Sequence, residues 1–134
     1  MSTRRATASA GPARVDFEPV QGGFDHRWTE WILDVDLSGS TVEVELRLEN
    51  STVGAADETL TDGNGLTIAV GGNAPATPPR TGNDDSSIEI VVPSSITATT
   101  NATELWYMLI IEDAGGVRLP YKVGKIPYSW KVIP

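Results

Sequence analysis

The sequence predicts an all-β chain, folded as a single antiparallel β-sandwich of eight or nine short strands. Three observations lead there. Apolar residues recur with a period of two from Arg27 to Ile133. Thirteen glycines and nine prolines punctuate those runs at roughly ten-residue spacing. No stretch supports a helix of three turns, and only Ser94–Ala102, following Pro93, suits one helical turn.

In chain order, Met1–Arg14 is small, polar and aperiodic and reads as a flexible basic arm, leaving residues 15–134 as the folded domain. Val15–Val20 alternates apolar and acidic residues, and Pro19, lacking an N–H, places that strand at an edge. Arg27–Leu37 reads as one long strand with Trp31, Leu33, Val35 and Leu37 on one face and Ile32, Asp34 and Asp36 on the other. Thr41–Glu49 alternates Val42, Val44, Leu46 and Leu48 with Glu43, Glu45, Arg47 and Glu49, so one face is buried and the other wet. Glu58–Thr61 and Leu66–Val70 flank Asp62-Gly63-Asn64-Gly65, two overlapping hairpin-turn signatures. Gly71–Asp85 has no period; Pro75, Pro78 and Pro79 stiffen it into a defined excursion or leave it a loose loop.

Three strands then form the core of the pattern: Ser87–Val92, Glu104–Glu112 and Val117–Val123. The middle one is apolar on both faces, with Leu105, Tyr107, Leu109 and Ile111 on one side and Trp106, Met108 and Ile110 on the other. A sandwich strand needs only one apolar face, so the second calls for a cover from elsewhere in the chain or from another subunit. Pro127–Ile133 closes the pattern as a last strand.

Composition narrows the function classes. The arm holds Arg4, Arg5 and Arg14 and no acid, whereas the remainder carries 7 basic and 18 acidic residues, for a total of −8. A body this acidic repels a polyphosphate backbone, so no nucleic-acid binding is expected of it. No apolar run reaches the roughly 18 residues of a membrane span, and the first residues read as no secretory signal. Cysteine is absent, which excludes disulfides and thiolate metal sites.

Candidate chemistry is sparse. His26 is the single histidine and reads as a strand-start residue. Asp34 and Asp36 suggest paired carboxylates or a hard-cation site, against the plainer reading of a solvated strand face. Asp62–Gly65 lacks the ligand spacing of a calcium loop. Asn50-Ser51-Thr52 and Asn101-Ala102-Thr103 match the glycosylation pattern by chance. No cofactor, metal or catalytic residue is expected, and the chain reads as no enzyme. Trp28 and Trp31 lie on opposite faces of one strand and Trp106 opposes Tyr107, so one of each pair points away from the core. Candidate interface residues are therefore Trp28, Trp31, Trp106, Met108 and Ile110, with Arg4, Arg5 and Arg14 of the arm.

The runs Asp36–Arg47, Leu60–Ala69 and Ser87–Ile126 resemble the N-terminal immunoglobulin-like domain of phage baseplate upper proteins. The matching residues are Leu37, Gly39, Thr41 and Val42, then Gly63, Gly65, Leu66 and Ile68, then Ile88, Ile90, Val92, Pro93 and Ser94. Tyr107, Leu109, Ile111, Asp113, Gly116, Leu119, Gly124 and Ile126 complete the pattern. Two departures stand out: the Gly71–Asp85 loop is long, and Thr100–Glu104 replaces the family's Leu-x-x-Gly. The resemblance implies an immunoglobulin-like sandwich and a structural subunit of a tailed-phage virion, in the tail or baseplate. Its implied partners are other virion structural proteins in an oligomer, assembled in the host bacterial cytoplasm. Alternatives are a capsid decoration or neck protein, a module binding host glycans through exposed tryptophans, and a hydrolase using Asp34 and Asp36.

Overall fold

The computed structural model describes residues 12–98 and 101–130. Over the described residues it is all-β, a curled mixed sheet with one short helix. The strands are β1 (Ala13–Arg14), β2 (Val20–Gln21), β3 (His26–Ile32), β4 (Thr41–Arg47), β5 (Glu58–Asp62), β6 (Gly65–Gly72), β7 (Asp85–Val92), β8 (Glu104–Glu112) and β9 (Arg118–Ser129). Between β7 and β8, Ser95–Ala98 forms the helical turn α1. Spatial order is β1-β9-β8-β4-β5-β6-β7-β3, with β2 also on β9. The curl brings β3 across from β8, where the Trp28 and Tyr107 rings lie 5.4 Å apart. Farther along, Lys122 on β9 donates to Glu30 on β3 at 2.8 Å.

The core sits inside this curl, where the alternating patterns point. Val44, Leu46, Ile88, Ile90, Val92, Leu105 and Ile126 are fully buried. Each such side chain contributes about 1.5–3 kcal/mol relative to exposure. The two clearest sequence patterns hold their register: β4 pairs with β8 from Thr41↔Glu112 to Arg47↔Trp106.

Four expectations need correction. The sheet is mixed, since β1 and β2 run parallel to β9, and β5 meets β6 in parallel at Thr61↔Gly65 and Asp62↔Leu66. The Asp62–Gly65 signature therefore carries the chain from one part of the curl to another and does not close an antiparallel hairpin. Val117–Val123 and the described part of Pro127–Ile133 are not separate strands, because β9 runs unbroken through Arg118–Ser129 beside β8, with a register shift at Leu109/Ile110; residues 131–133 lie outside the described residues. The strand expected to reach Leu37 stops at Ile32, and its inner face is that of Trp28 and Ile32 rather than Trp31.

The reason for that stop lies 51 residues downstream. Asp34 adopts φ 58°, a left-handed conformation that breaks a strand. Its amide N–H donates to Oδ1 of Asp85 at 2.8 Å. Asp85 is fully buried and accepts further bonds from the Ala74 amide at 2.8 Å and from Arg80 at 2.6 and 2.7 Å. Arg80 also reaches Asp34 at 3.0 Å. Next door, Ser86 Oγ donates to the Val35 carbonyl at 2.7 Å and accepts from the Leu37 amide at 3.1 Å. The 71–85 excursion is thus a defined structure pinned at Ala74, Arg80 and Asp85. The Arg80 guanidinium, with the two amides, holds the Asp85 carboxyl far below the usual carboxylate range against the opposing effect of burial.

Residues 13–22 follow β9 as a covering edge. Val15 and Phe17 donate to the Val123 and Lys125 carbonyls at 2.9 and 3.0 Å. The contact is close enough that a methyl group at Gly124 would run into the Val15 carbonyl. Trp130 closes the far end by lying on Gly22, where an added Cβ would stand 2.5 Å from the indole, and by donating to the Ala102 carbonyl at 2.6 Å.

Two outcomes are expected. Asp85→Asn should lower Tm by several degrees, because it leaves Arg80 facing a neutral partner in a buried setting. Asp85 has its folded pKa depressed, so its contribution is complete above the unfolded value of about 3.9 and fades as pH falls toward the folded value. Wild-type Tm should therefore drop below about pH 4, and this part of the slope should be missing from Asp85→Asn in a pH series of thermal melts. Gly124→Ala should cost about 1–3 kcal/mol in urea unfolding, as overpacking does, by lifting residues 13–17 from β9.

Candidate interaction surfaces

The sequence-predicted site residues fall into separate places. Trp28 belongs to the core margin, in an aromatic cluster where Phe17 stands 4.7 Å from Trp28, 5.0 Å from His26 and 5.6 Å from Tyr107. The Tyr107 hydroxyl donates to the Val15 carbonyl at 2.6 Å, and burial raises its pKa. Burial also lowers the pKa of His26, whose Nε2 has no hydrogen-bond partner, as is true of Trp28 Nε1. This is a hydrophobic clasp on residues 15–17, and among the described residues no nucleophile or orienting carboxylate is hydrogen-bonded to His26. Trp31 is half-buried on the opposite face of β3, with its ring near Gly72.

The second face of β8 is covered by the chain itself. Arg14 lies over the Trp106 ring at 5.3 Å and Lys125 over the same ring at 5.9 Å. Arg14 also pairs with Asp16 at 3.3 Å, which holds the Asp16 carboxyl below its ordinary range. Met108 is half-buried and Ile110 is buried. Beside them Arg47 bonds Glu45 at 3.3 Å and the Gly54 carbonyl at 3.0 Å, and Arg118 pairs with Glu43. The long stems of these charged residues supply apolar cover while their heads pair in water. A cleft of about 200 Å³ remains among Arg14, Glu45, Arg47, Trp106 and Met108. Arg4 and Arg5 lie outside the described residues, and Arg14, assigned to the arm by sequence, is paired with Val123 in β1.

Exposed apolar surface is found elsewhere. The strand registers define two ends of the curl. At one end lie the start of β3, the end of β7 and the start of β8, through His26↔Val92 and Glu104↔Pro127. At the other lie the end of β3, the start of β7 and the β8–β9 turn, through Ile32↔Ser86 and Glu112↔Arg118. This second end holds a groove of about 630 Å³. Its floor is Ile32, Leu37 and Ile111, and its walls are Val35, Val117 and Leu119. Val117 and Leu119 are each 53% exposed, and Tyr121, also in the lining, is 41% exposed. The groove exists because the Asp85 contacts end β3 early and send Val35 outward while Leu37 returns to the core. The opposite end presents Phe24, 68% exposed on the turn between β2 and β3, and Val53, 88% exposed on the loop between β4 and β5. Phe24 lies outside every periodic run of the sequence. An aromatic residue directly after Gly22-Gly23, where no strand period claims it, was the available signal.

Asp34 and Asp36 do not form a carboxylate pair for catalysis: Asp34 is bound to Arg80 and Asn83, and Asp36 accepts from the Ser38 amide at 2.8 Å. Among the described residues no group of three His, Asp or Glu is placed to hold a metal, and no helix is long and apolar enough to cross a membrane. No tryptophan is among the large side chains exposed there. No protein-family model, curated protein or solved structure matches the chain.

The cover over Trp106 can be checked with 5-fluorotryptophan NMR. Arg14→Ala should shift the Trp106 resonance toward its solvent-exposed position and leave the other three of the four tryptophans in place. The stability loss should stay near 0.5–1 kcal/mol, the worth of an exposed cation–π contact. An unmoved Trp106 signal would show that Arg14 does not cover the ring.

Proposed function

We propose that this chain is a non-enzymatic structural subunit of a tailed-phage particle, acting through protein–protein contacts in the tail or baseplate. The observation that carries the reading is the concentration of exposed apolar side chains at one end, around Val35, Val117, Leu119 and Tyr121. A patch of this kind on a small protein marks an interaction site. The resemblance of residues 27–130 to the immunoglobulin-like domain of baseplate upper proteins supports the same reading. We read the curled sheet as that immunoglobulin-like sandwich, with residues 13–22 added along β9.

Chemistry supports contact rather than turnover. The most constrained carboxylate, Asp85, is committed to Arg80 and two backbone amides, and the one histidine is lodged among aromatic rings. Both are used to hold segments of the chain in place.

The reading is tested by quantitative mass spectrometry of density-purified particles from the genome that encodes this chain. The expected result is a fixed copy number per particle that withstands high-salt washing. Recovery of the chain only from the soluble lysate, with none in particles, would contradict it.

A further inference from the structure

The groove between Val35, Leu37, Ile111 and Leu119 is apolar within and acidic around its rim. We infer that it docks a segment of another protein in which apolar side chains are flanked by lysines or arginines. This rests on the reading of the chain as an assembly subunit and names the chemistry of its partner.

The apolar lining comes first. Of the nine large apolar side chains exposed among the described residues, six stand at this end: Leu33, Val35, Val70, Val117, Leu119 and Tyr121. Apolar side chains scattered singly need no explanation, but a concentration of this kind marks a contact surface. The groove, about 630 Å³, has a floor of buried Ile32 and Leu37, and the Asp85 contacts fix the adjoining turn. Its shape is therefore formed in advance, and little conformational freedom is lost on docking. Val117 and Leu119 stand half-exposed beside it. A small molecule confined to the groove would leave them wet, whereas a longer chain segment covers both.

Charge commits the groove to a cationic partner. Asp36 sits between Val35 and Leu37, Glu112 follows Ile111, and Asp113 belongs to the lining itself. Asp84 lies at the same end, one residue before β7. Among the described residues none of these four carboxylates has an ion-pair partner. Asp36 accepts from the Ser38 amide, and Asp113 from the Gly115 and Val117 amides, which leaves both charges in place. The cations nearby are already used: Arg80 by Asp85 and Asp34, Arg118 by Glu43 and Glu45, and Lys122 by Glu30. An acidic segment would meet like charge here, and a basic one is complementary. A second copy is disfavoured on the same ground, because the opposite end of the body carries Asp25, Glu49 and Asp57. Screening is effective beyond about 8 Å at physiological salt, so the partner's cations must lie directly against the rim.

The test selects a random-peptide library on the whole chain, with counter-selection on Leu119→Ser, an exposed substitution whose circular dichroism and Tm should match wild type. Enriched peptides should carry net positive charge and apolar residues between their cations. By fluorescence anisotropy, the tightest of them should bind Leu119→Ser about tenfold more weakly. Asp36→Asn with Glu112→Gln should weaken binding about fivefold at low salt and flatten its salt dependence. Glu18→Gln with Glu49→Gln removes the same charge from exposed positions away from the groove and should leave the affinity unchanged. Enrichment of neutral or acidic peptides, no enrichment, or an affinity untouched by the groove variants would each overturn the proposal. So would binding about tenfold tighter to a chain carrying Arg4→Ser and Arg5→Ser, which would make the chain's own first residues the occupant. Self-association of wild type that Leu119→Ser abolishes would assign the groove to a second copy and overturn it equally. A chain found in particles whose groove selects no cationic peptide would defeat this inference alone. Selection of cationic peptides by a chain absent from particles would defeat only the reading of it as a phage subunit.

Discussion

The buried Asp85 carboxylate is the constraint on which the shape of the molecule depends. One oxygen accepts from the Asp34 amide and Arg80, and the other from the Ala74 amide and Arg80. Those bonds join three stretches of chain remote in sequence: the exit from β3, the 71–85 excursion and the start of β7. A buried charge is tolerable only when paired and hydrogen-bonded, and each donor here also fixes a segment of backbone. Remove the carboxylate and β3 loses its stop, the excursion loses its anchor, and the Val35–Leu37 segment loses the adjoining turn that orients it. The groove at that end is a consequence of this node.

A second constraint is the edge of β9. A strand of 12 residues with a free side would present a long row of unpaired backbone groups, a template for unwanted pairing. Residues 13–22 occupy much of that row in parallel, secured by Gly124, Tyr107 and the Phe17 cluster. Pro19 sits within this cover, where no ladder N–H is demanded of it. The same segment lets Arg14 close over Trp106. Lateral surfaces are therefore largely settled within the chain, and most of the exposed apolar groups, Phe24 and Val53 on one side and Leu33, Val35, Val70 and the Val117–Tyr121 region on the other, sit at the ends.

Much of this was legible locally. Thr41–Arg47 and Glu104–Glu112 were readable because alternation is a property of consecutive residues, and both strands appear with the register that alternation demands. Val15–Val20 is not the continuous edge strand its alternation suggests: only Ala13–Arg14 and Val20–Gln21 pair as strands on β9, and Val15–Pro19 between them is irregular. What sequence could not disclose was long-range. Nothing in Leu33–Leu37 announces that Asp85 will end the strand at Ile32, since the pattern of apolar residues continues unbroken. The apolar second face of β8 rightly called for a cover, but the cover is Arg14 and Lys125, the first of them 92 residues before Trp106. Asp62-Gly63-Asn64-Gly65 has the residues of a hairpin turn, yet strand direction is set by where β6 finds β7. The exposure of Phe24 was invisible because a single side chain on a turn has no periodicity to read.

The central claim is that the Asp85 contacts end β3 and fix the 71–85 excursion. Hydrogen–deuterium exchange of wild type and Asp85→Asn tests it most directly. Faster exchange in the variant should be confined to the Asp34 and Ala74 amides and their neighbours, with β4 and β8 unchanged. Unchanged exchange at Asp34 and Ala74 would contradict it.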